Sequence, residues 1–297
     1  MSRIACALCV GAAREPFLAA TLSSIAGVVD DLVVNDNSGL AHSENVAAIQ
    51  ASWFAREGRL RIEQQPFVDF AQMRNAAQAM LSALKPRPDW VLFIDADEVH
   101  GAQLEQLARD VLPRLSERVA QLDAYTYHFW GTPRWMTDIA RRMVFYRFST
   151  ELRWENRVHE KLCGLRGSTV VVPYIYHHYG NVLAPRDLAE KHQRYYRLGN
   201  PVPEPPSPEN ATLEMYIARA GKVRPFHGKH PVAANAALAS LEHENALAAG
   251  TLDAAFRARR SPDVVLRTTL QAVNESLRVH LRHIEHPLLY RGPMVAR

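Results

Sequence analysis

Asp95-Ala96-Asp97-Glu98 puts three carboxylates within four positions, directly after the apolar run Trp90 to Ile94. Carboxylates at the rim of an apolar core are costly unless cations meet them. The chemistry on offer is binding of a hard divalent ion, Mn2+ or Mg2+, which takes oxygen ligands and can bridge substrate phosphates. The competing reading is a core strand followed by a solvated acidic turn, the usual fate of an isolated Asp-x-Asp. Further reactive residues are scattered along the chain: Asp36 and Ser38 behind a short apolar run, Arg74 and Asn75 near a helix start, Arg157-Val158-His159-Glu160-Lys161, and His177-His178. Each has a bland explanation too. Asp36 suits an Asx turn, Arg74 a helix surface, the alternating charges a solvated turn, and either histidine a backbone partner.

The elements that must position these residues follow from hydrophobic patterning. Ile4 to Val10 is continuously apolar, as a central parallel strand covered on both faces requires. Pro16 to Ile25 has helical spacing, and Asp31 to Asn35 gives a second strand running into the polar loop Asn35 to Gly39. Val46 to Phe54 predicts a helix, Leu60 to Gln64 a third strand, Asp69 to Leu84 a long helix, and Trp90 to Ile94 a fourth strand. Strands alternating with helices make a doubly wound sheet, whose ligands bind outside the carboxyl ends of the strands. Asp36 and the acidic triplet both fall at such ends. Leu104 to Leu115 predicts another helix, after which the pattern becomes aromatic and alternating over Ala124 to Trp130 and Met143 to Phe148, as in antiparallel strands. Thr169 to Ile175 is a strand leading into Tyr176-His177-His178-Tyr179-Gly180, and Arg186 to Leu198 is helical and basic. On a strand His177 and His178 face opposite ways, so only one can serve a given site.

The expected division is therefore a domain over residues 1–199, with halves 1–115 and 116–199, a Pro-rich linker at 200–208, and a helical extension over 209–297 with helices at Leu213 to Ala220, Pro231 to Ala249 and Pro262 to Ile284. The 297 residues carry a net charge of +4, mostly through Arg, whose planar fork suits phosphate. No Lys/Arg run or basic-aromatic stripe points to nucleic acid. Cys6 and Cys9 have C-x-x-C spacing inside the first strand, where residues three apart face opposite sides; with Cys163 they read as free thiols of a reducing cytoplasm. Ile4 to Ala13 behind Arg3 also imitates a short signal peptide, which a first strand explains equally well. No apolar run is of membrane-spanning length, which leaves room for peripheral contact at the inner membrane face.

Taken in order, Val33-Val34-Asn35-Asp36-Asn37-Ser38, Ala71-Gln72-Met73-Arg74-Asn75-Ala76-Ala77, Asp95-Ala96-Asp97-Glu98, Arg157-Val158-His159-Glu160 and His178-Tyr179-Gly180 resemble the family 2 glycosyltransferases of the GT-A fold. The branch concerned is bacterial and pairs Asp-x-Asp-Glu with a later His-Glu. The resemblance covers roughly residues 3–198. It implies a doubly wound, mostly parallel α/β sheet with a smaller antiparallel part, to which the helical C-terminal extension is added. It implies a metal-dependent, inverting transfer of a sugar from a nucleotide-sugar donor to a glycan, lipid-linked or protein acceptor. By resemblance, Asp36 and Ser38 grip the nucleotide, Arg74 reaches phosphate or the acidic triplet, His159 orients Glu160 or contacts phosphate, Asp97 binds the metal, and Asp95 contacts the donor or the metal. His178 then completes the metal shell, Glu160 is the base, and Glu98 is the reserve base. Asn35 stands where the family has its first acid, and Gly39 and Leu40 where it has a later Asp, so the nucleotide's identity stays open. Trp130, Trp135 and Trp154 offer a stacking surface for sugar. Two other classes compete: a sugar-nucleotide nucleotidyltransferase, disfavoured because only Gly11 and Arg14 stand where its phosphate loop belongs, and a carbohydrate or nucleotide-sugar binding protein without turnover. A homodimer contact is one expected role for the C-terminal helices.

Overall fold

Alternating apolar strands and amphipathic helices fold as their periods require. The structure, a computed structural model, describes residues 2–281. Strand β1 (Ile4–Val10) leads through α1 (Leu18–Ile25) to β2 (Asp31–Asp36), then through α2 (Ser43–Gln50) and α3 (Trp53–Arg56) to β3 (Leu60–Gln64). Helix α4 (Phe70–Ser82) returns the chain to β4 (Trp90–Asp95), which a tight turn joins to the two-residue strand β5 (Glu98–Val99). These helices differ from the predicted ones at their ends. Helix α1 starts at Leu18 rather than Pro16, and the helix predicted over Val46 to Phe54 is two, because Ser52 leaves the helical path and caps the second through Ala55 N. Asp69 caps α4, accepting from Gln72 N at 2.8 Å, an arrangement worth about 1 kcal/mol.

After α5 (Gln103–Gln106), whose helical path continues through wider and then tighter turns to Arg114, come β6 (Val119–Trp130) and β7 (Thr132–Arg147). They form a long hairpin whose corner, Gly131, has φ +72°, a conformation that a side chain would strain. The short hairpin β8 (Arg153–Glu155) and β9 (Lys161–Cys163) precedes β10 (Ser168–His178) and α6 (Pro185–Arg197). The extension adds α7 (Glu214–Ile217), β11 (Arg224–Pro225), α8 (Asn235–Ala258) and α9 (Pro262–Leu281). The predicted end of this last helix, residues 282–284, lies outside the described residues. No described helix is long and apolar enough to cross a membrane.

Strand order is β3-β2-β1-β4-β7-β6-β10-β5, with β11 on β7. The first four strands are parallel, β7 runs antiparallel to β4 and β6, and β10 runs parallel to β6. The expected mixed α/β sheet flanked by helices, C-terminal ones included, is therefore present. Residues alternate between two cores: Ile4, Cys6, Leu8 and Val10 face one, and Ala5, Ala7 and Cys9 face the other under α4. Cys6 and Cys9 thus point to opposite faces, and burial pushes the Cys9 thiol up to about 12, out of the range of redox chemistry. The chain leaves β1 toward β2 and β3 but returns on the other side at β4, so a crevice opens between the carboxyl ends of β1 and β4. Register aligns Cys9 with Asp95 there.

Candidate active site

A cleft of about 1080 Å3 occupies that crevice and is lined by residues between Cys9 and Arg219, including Gly11 after β1, Asp95 at the end of β4 and Asp97 beyond it, Glu160 before β9, His178 on β10 and Lys191 on α6. Asp95 ends β4. Its Oδ1 accepts from Arg74 Nη2 at 2.6 Å and its Oδ2 from Arg142 Nη2 at 3.1 Å. Burial alone would raise its pKa, but the Arg74 guanidinium, helped by Arg142, wins and holds the carboxyl at about 2. Arg74 also donates through Nε to Glu160 Oε1 at 2.8 Å and lies over the Phe93 ring at 4.3 Å. The residue after it does the structural work: the Asn75 amide pairs with both backbone groups of Trp154, at 2.9 and 2.8 Å, and so fixes the β8–β9 hairpin whose loop carries Glu160.

Asp97 lies in the turn beyond β4. Lys191 Nζ donates to its Oδ2 at 2.9 Å, and His178 Nε2 stands 3.2 Å from its Oδ1. Burial opposes ionisation here too, yet Lys191 and His178 hold the carboxyl well below its ordinary value. Strand pairing brings the histidine in: β10 runs against β5 with His178 opposite Glu98, and Tyr179 N donates to Asp97 O at 2.8 Å. His177, facing the other way, is packed among Phe129, Phe226 and His230. His178 is therefore the histidine at the cleft.

One oxygen, one carboxylate oxygen and one imidazole nitrogen from Asp95, Asp97 and His178 lie within 4.8 Å of one another. Two observations show that this set fits a divalent ion. Asp97 Oδ1 is buried without a hydrogen bond although His178 Nε2 stands 3.2 Å away. Second, His178 Nδ1 is 2.9 Å from Nδ1 of His128, whose pKa burial lowers to about 2, so that His128 is neutral. The Nδ1–Nδ1 contact holds the His178 ring with Nε2 beside Asp97 Oδ1, an arrangement that a cation between them satisfies. Gly180 makes room. A Cβ there would stand 2.5 Å from Asp97 Oδ2, 2.7 Å from His178 Nε2 and 2.8 Å from Lys191 Nζ.

Other sequence-predicted residues fall elsewhere. Glu98 does not line the cleft: it is 1% exposed, accepts from Asp95 N at 2.9 Å and faces Arg142 at 3.2 Å. Burial raises its pKa to about 7 against the pull of Arg142, and it buttresses the turn from behind. Asp36 is fully buried in an Asx turn, its Oδ1 accepting from Ser38 N and Oγ and its Oδ2 from Gln64 Nε2. Neither Asp36 nor Ser38 lines the cleft. His159 does, in a left-handed conformation (φ +55°), with Nε2 3.2 Å from Asn200 Oδ1. Trp130 and Trp154 line it as well, whereas Trp135 packs on Phe256. The Pro-rich segment 202–206 forms part of the wall.

Residues that patterning does not single out complete the site. Lys191 and Arg194 lie three and six positions beyond Leu188, the core residue of α6, so the inward stripe of that helix was the available signal. Glu15 sits just outside the carboxyl end of β1 and lines the cleft; burial, then the Asp97 charge, raises its pKa to about 8. Arg142 is reached only through the pairing of β7 with β6, which short-range spacing does not reveal.

No protein-family model and no curated protein sequence matches the chain. Among solved structures it is similar to 4-diphosphocytidyl-2C-methyl-D-erythritol synthase from Anaerococcus prevotii, at 13% identity over 55% of this chain and 68% of that one, with a TM-score of 0.32. It is also similar to glucosyl-3-phosphoglycerate synthase from Mycobacterium tuberculosis with Mn2+, uridine diphosphate and glucosyl-3-phosphoglycerate, at 18% identity over 42% and 44% of the two chains, with a TM-score of 0.27. The chain thus spans under half the length of the mycobacterial enzyme.

Proposed function

We propose that the protein is a metal-dependent glycosyltransferase that moves a sugar from a nucleotide-sugar donor to an acceptor hydroxyl with inversion. The observation that carries this reading is Asp97: a buried carboxylate with one oxygen unpartnered, beside a second carboxylate and an imidazole, at the carboxyl end of a parallel sheet. Asp97, His178 and Asp95 would hold Mn2+ or Mg2+, which supplies positive charge to a leaving diphosphate. The remaining work belongs to the chain. Arg74 bridges Asp95 and Glu160, so that the donor side and the acceptor side of the cleft share one guanidinium and keep a fixed spacing.

Glu160 is the proposed base. Arg74 takes its Oε1, and its other oxygen has no protein partner among the described residues, which leaves that oxygen for an acceptor hydroxyl as it attacks. Trp130 and Trp154 flank the space where sugar rings would lie. Glu98, held behind the turn by Asp95 N and Arg142, supports the metal side rather than the acceptor. Asp36 and Ser38 define the neighbouring edge of the sheet, toward which the nucleoside would extend.

Thermal unfolding with a panel of nucleoside diphosphates, each with and without Mn2+, tests the reading. One nucleotide should raise the midpoint only when metal is present. Equal stabilisation without metal, or none with any nucleotide, contradicts it.

A further inference from the structure

The protein cations of the cleft are not equivalent. Arg74 is held by two carboxylates and lies over Phe93, and Arg142 on β7 is held by Asp95 and Glu98. Both are pinned from more than one side. Lys191 reaches in on a flexible stem from α6 and contacts one carboxylate, Asp97, together with the carbonyl of Gly180, both at 2.9 Å. An ammonium is a compact charge that can be redirected by rotation about its stem, unlike a planar fork fixed on two partners. It also occupies the oxygen of Asp97 that the unpartnered Oδ1 leaves over. A divalent ion entering this site meets a carboxylate whose charge is already balanced.

We propose that Lys191 is the resident counter-ion of Asp97: it competes with the divalent ion for that carboxylate, and passes to the diphosphate of the bound nucleotide. Metal and diphosphate then bind cooperatively, because each removes an obstacle to the other. The diphosphate draws Lys191 off Asp97, and the metal frees Lys191 for the diphosphate. Linkage makes this coupling equal in both directions. The site thereby avoids holding a metal ion when no donor is present. The inference rests on the metal reading given above.

The test is equilibrium binding rather than turnover. Free Mn2+ is followed by electron paramagnetic resonance with wild type, Lys191→Met, Lys191→Gln, Lys191→Arg and Asp97→Asn, all without nucleotide. Inorganic pyrophosphate binding without metal is then measured by calorimetry, and far-UV circular dichroism checks each fold. Lys191→Met and Lys191→Gln should bind Mn2+ at least tenfold tighter than wild type, Lys191→Arg within threefold of it, and metal-free pyrophosphate at least tenfold more weakly. Mn2+ binding that Asp97→Asn abolishes but both neutral Lys191 variants leave unchanged or weaken overturns the role of Lys191 and spares the metal site. Tighter Mn2+ with unaltered pyrophosphate binding overturns the transfer to the diphosphate. Absence of any Mn2+ binding sensitive to Asp97→Asn overturns the metal reading and the proposal together.

Discussion

Two acidic strand ends stand at the carboxyl edge of one sheet, with β1 between them. At the end of β2, Asp36 is enclosed by neutral donors: Ser38 N and Oγ of its own loop hold Oδ1, and Gln64 Nε2 of the paired strand β3 holds Oδ2. At the end of β4, Asp95 and Asp97 are answered only by side chains from distant elements, Arg74, Arg142, Lys191 and His178, and Asp97 Oδ1 is left over. Both sequences look alike, an apolar strand followed by an acid. The difference is that a short loop can close on a carboxylate through local hydrogen bonds, whereas the tight turn after β4 supplies none to Asp97. A buried acid satisfied locally is structure, and one satisfied by long-range cations around a cleft is a candidate site.

Substitutions can break or sharpen this contrast. The largest effect is expected at the β4 end: Asp97→Asn should abolish Mn2+-dependent stabilisation and metal-dependent transfer while the protein still melts cooperatively. Normal Mn2+ stabilisation in that variant would erase the distinction. Next, Glu160→Gln should lose about 10^2- to 10^4-fold in transfer rate, the range for a general base, with Mn2+ and nucleotide binding kept. A wild-type rate would move the base elsewhere, with Glu15 the nearest alternative in the cleft. Gly180→Ala drives a carbon to within 2.5 Å of Asp97 Oδ2, so Mn2+ binding should weaken by roughly tenfold or more, since each 1.4 kcal/mol is a factor of ten. Unchanged affinity there would mean that the turn yields freely. The smallest functional effect belongs to the β2 end. Asp36→Ala should cost about 1–3 kcal/mol of stability by orphaning Ser38 and Gln64, measured by urea unfolding, with Mn2+ binding within twofold of wild type. A large loss of Mn2+ binding would show that the two ends are one site.

Much of the scaffold was legible because its signals are local. Three of the four parallel strands follow from continuous apolar runs and β3 from a short alternating one, and the placement of Asp95 and Asp97 at a ligand edge follows from strand–helix alternation. His178 was legible over His177 only through the Tyr179-Gly180 that follows it, and Gly180 proves to be where three polar atoms converge. Illegible residues were those positioned by long-range pairing. Arg142 depends on the register of β7, and Lys191 on how α6 sits against the turn beyond β4. Glu98's place was illegible for a related reason: three carboxylates within four positions do not all face one side of a tight turn, and Glu98 is the one turned back toward Asp95 N and Arg142. Asp36 illustrates the converse, since a motif can sit at the right edge of a sheet and still be closed by its own loop and the neighbouring strand.

The central claim is that Asp97 and His178, with Asp95, hold a divalent ion in the cleft. The most direct test is anomalous diffraction at the manganese edge from crystals grown with Mn2+ and the nucleoside diphosphate that stabilises the protein. The account predicts one peak about 2.2 Å from an Asp97 oxygen and from His178 Nε2, with Lys191 withdrawn from Asp97. A crystal with ordered nucleotide, no manganese at these residues and the Lys191–Asp97 pair intact would contradict it.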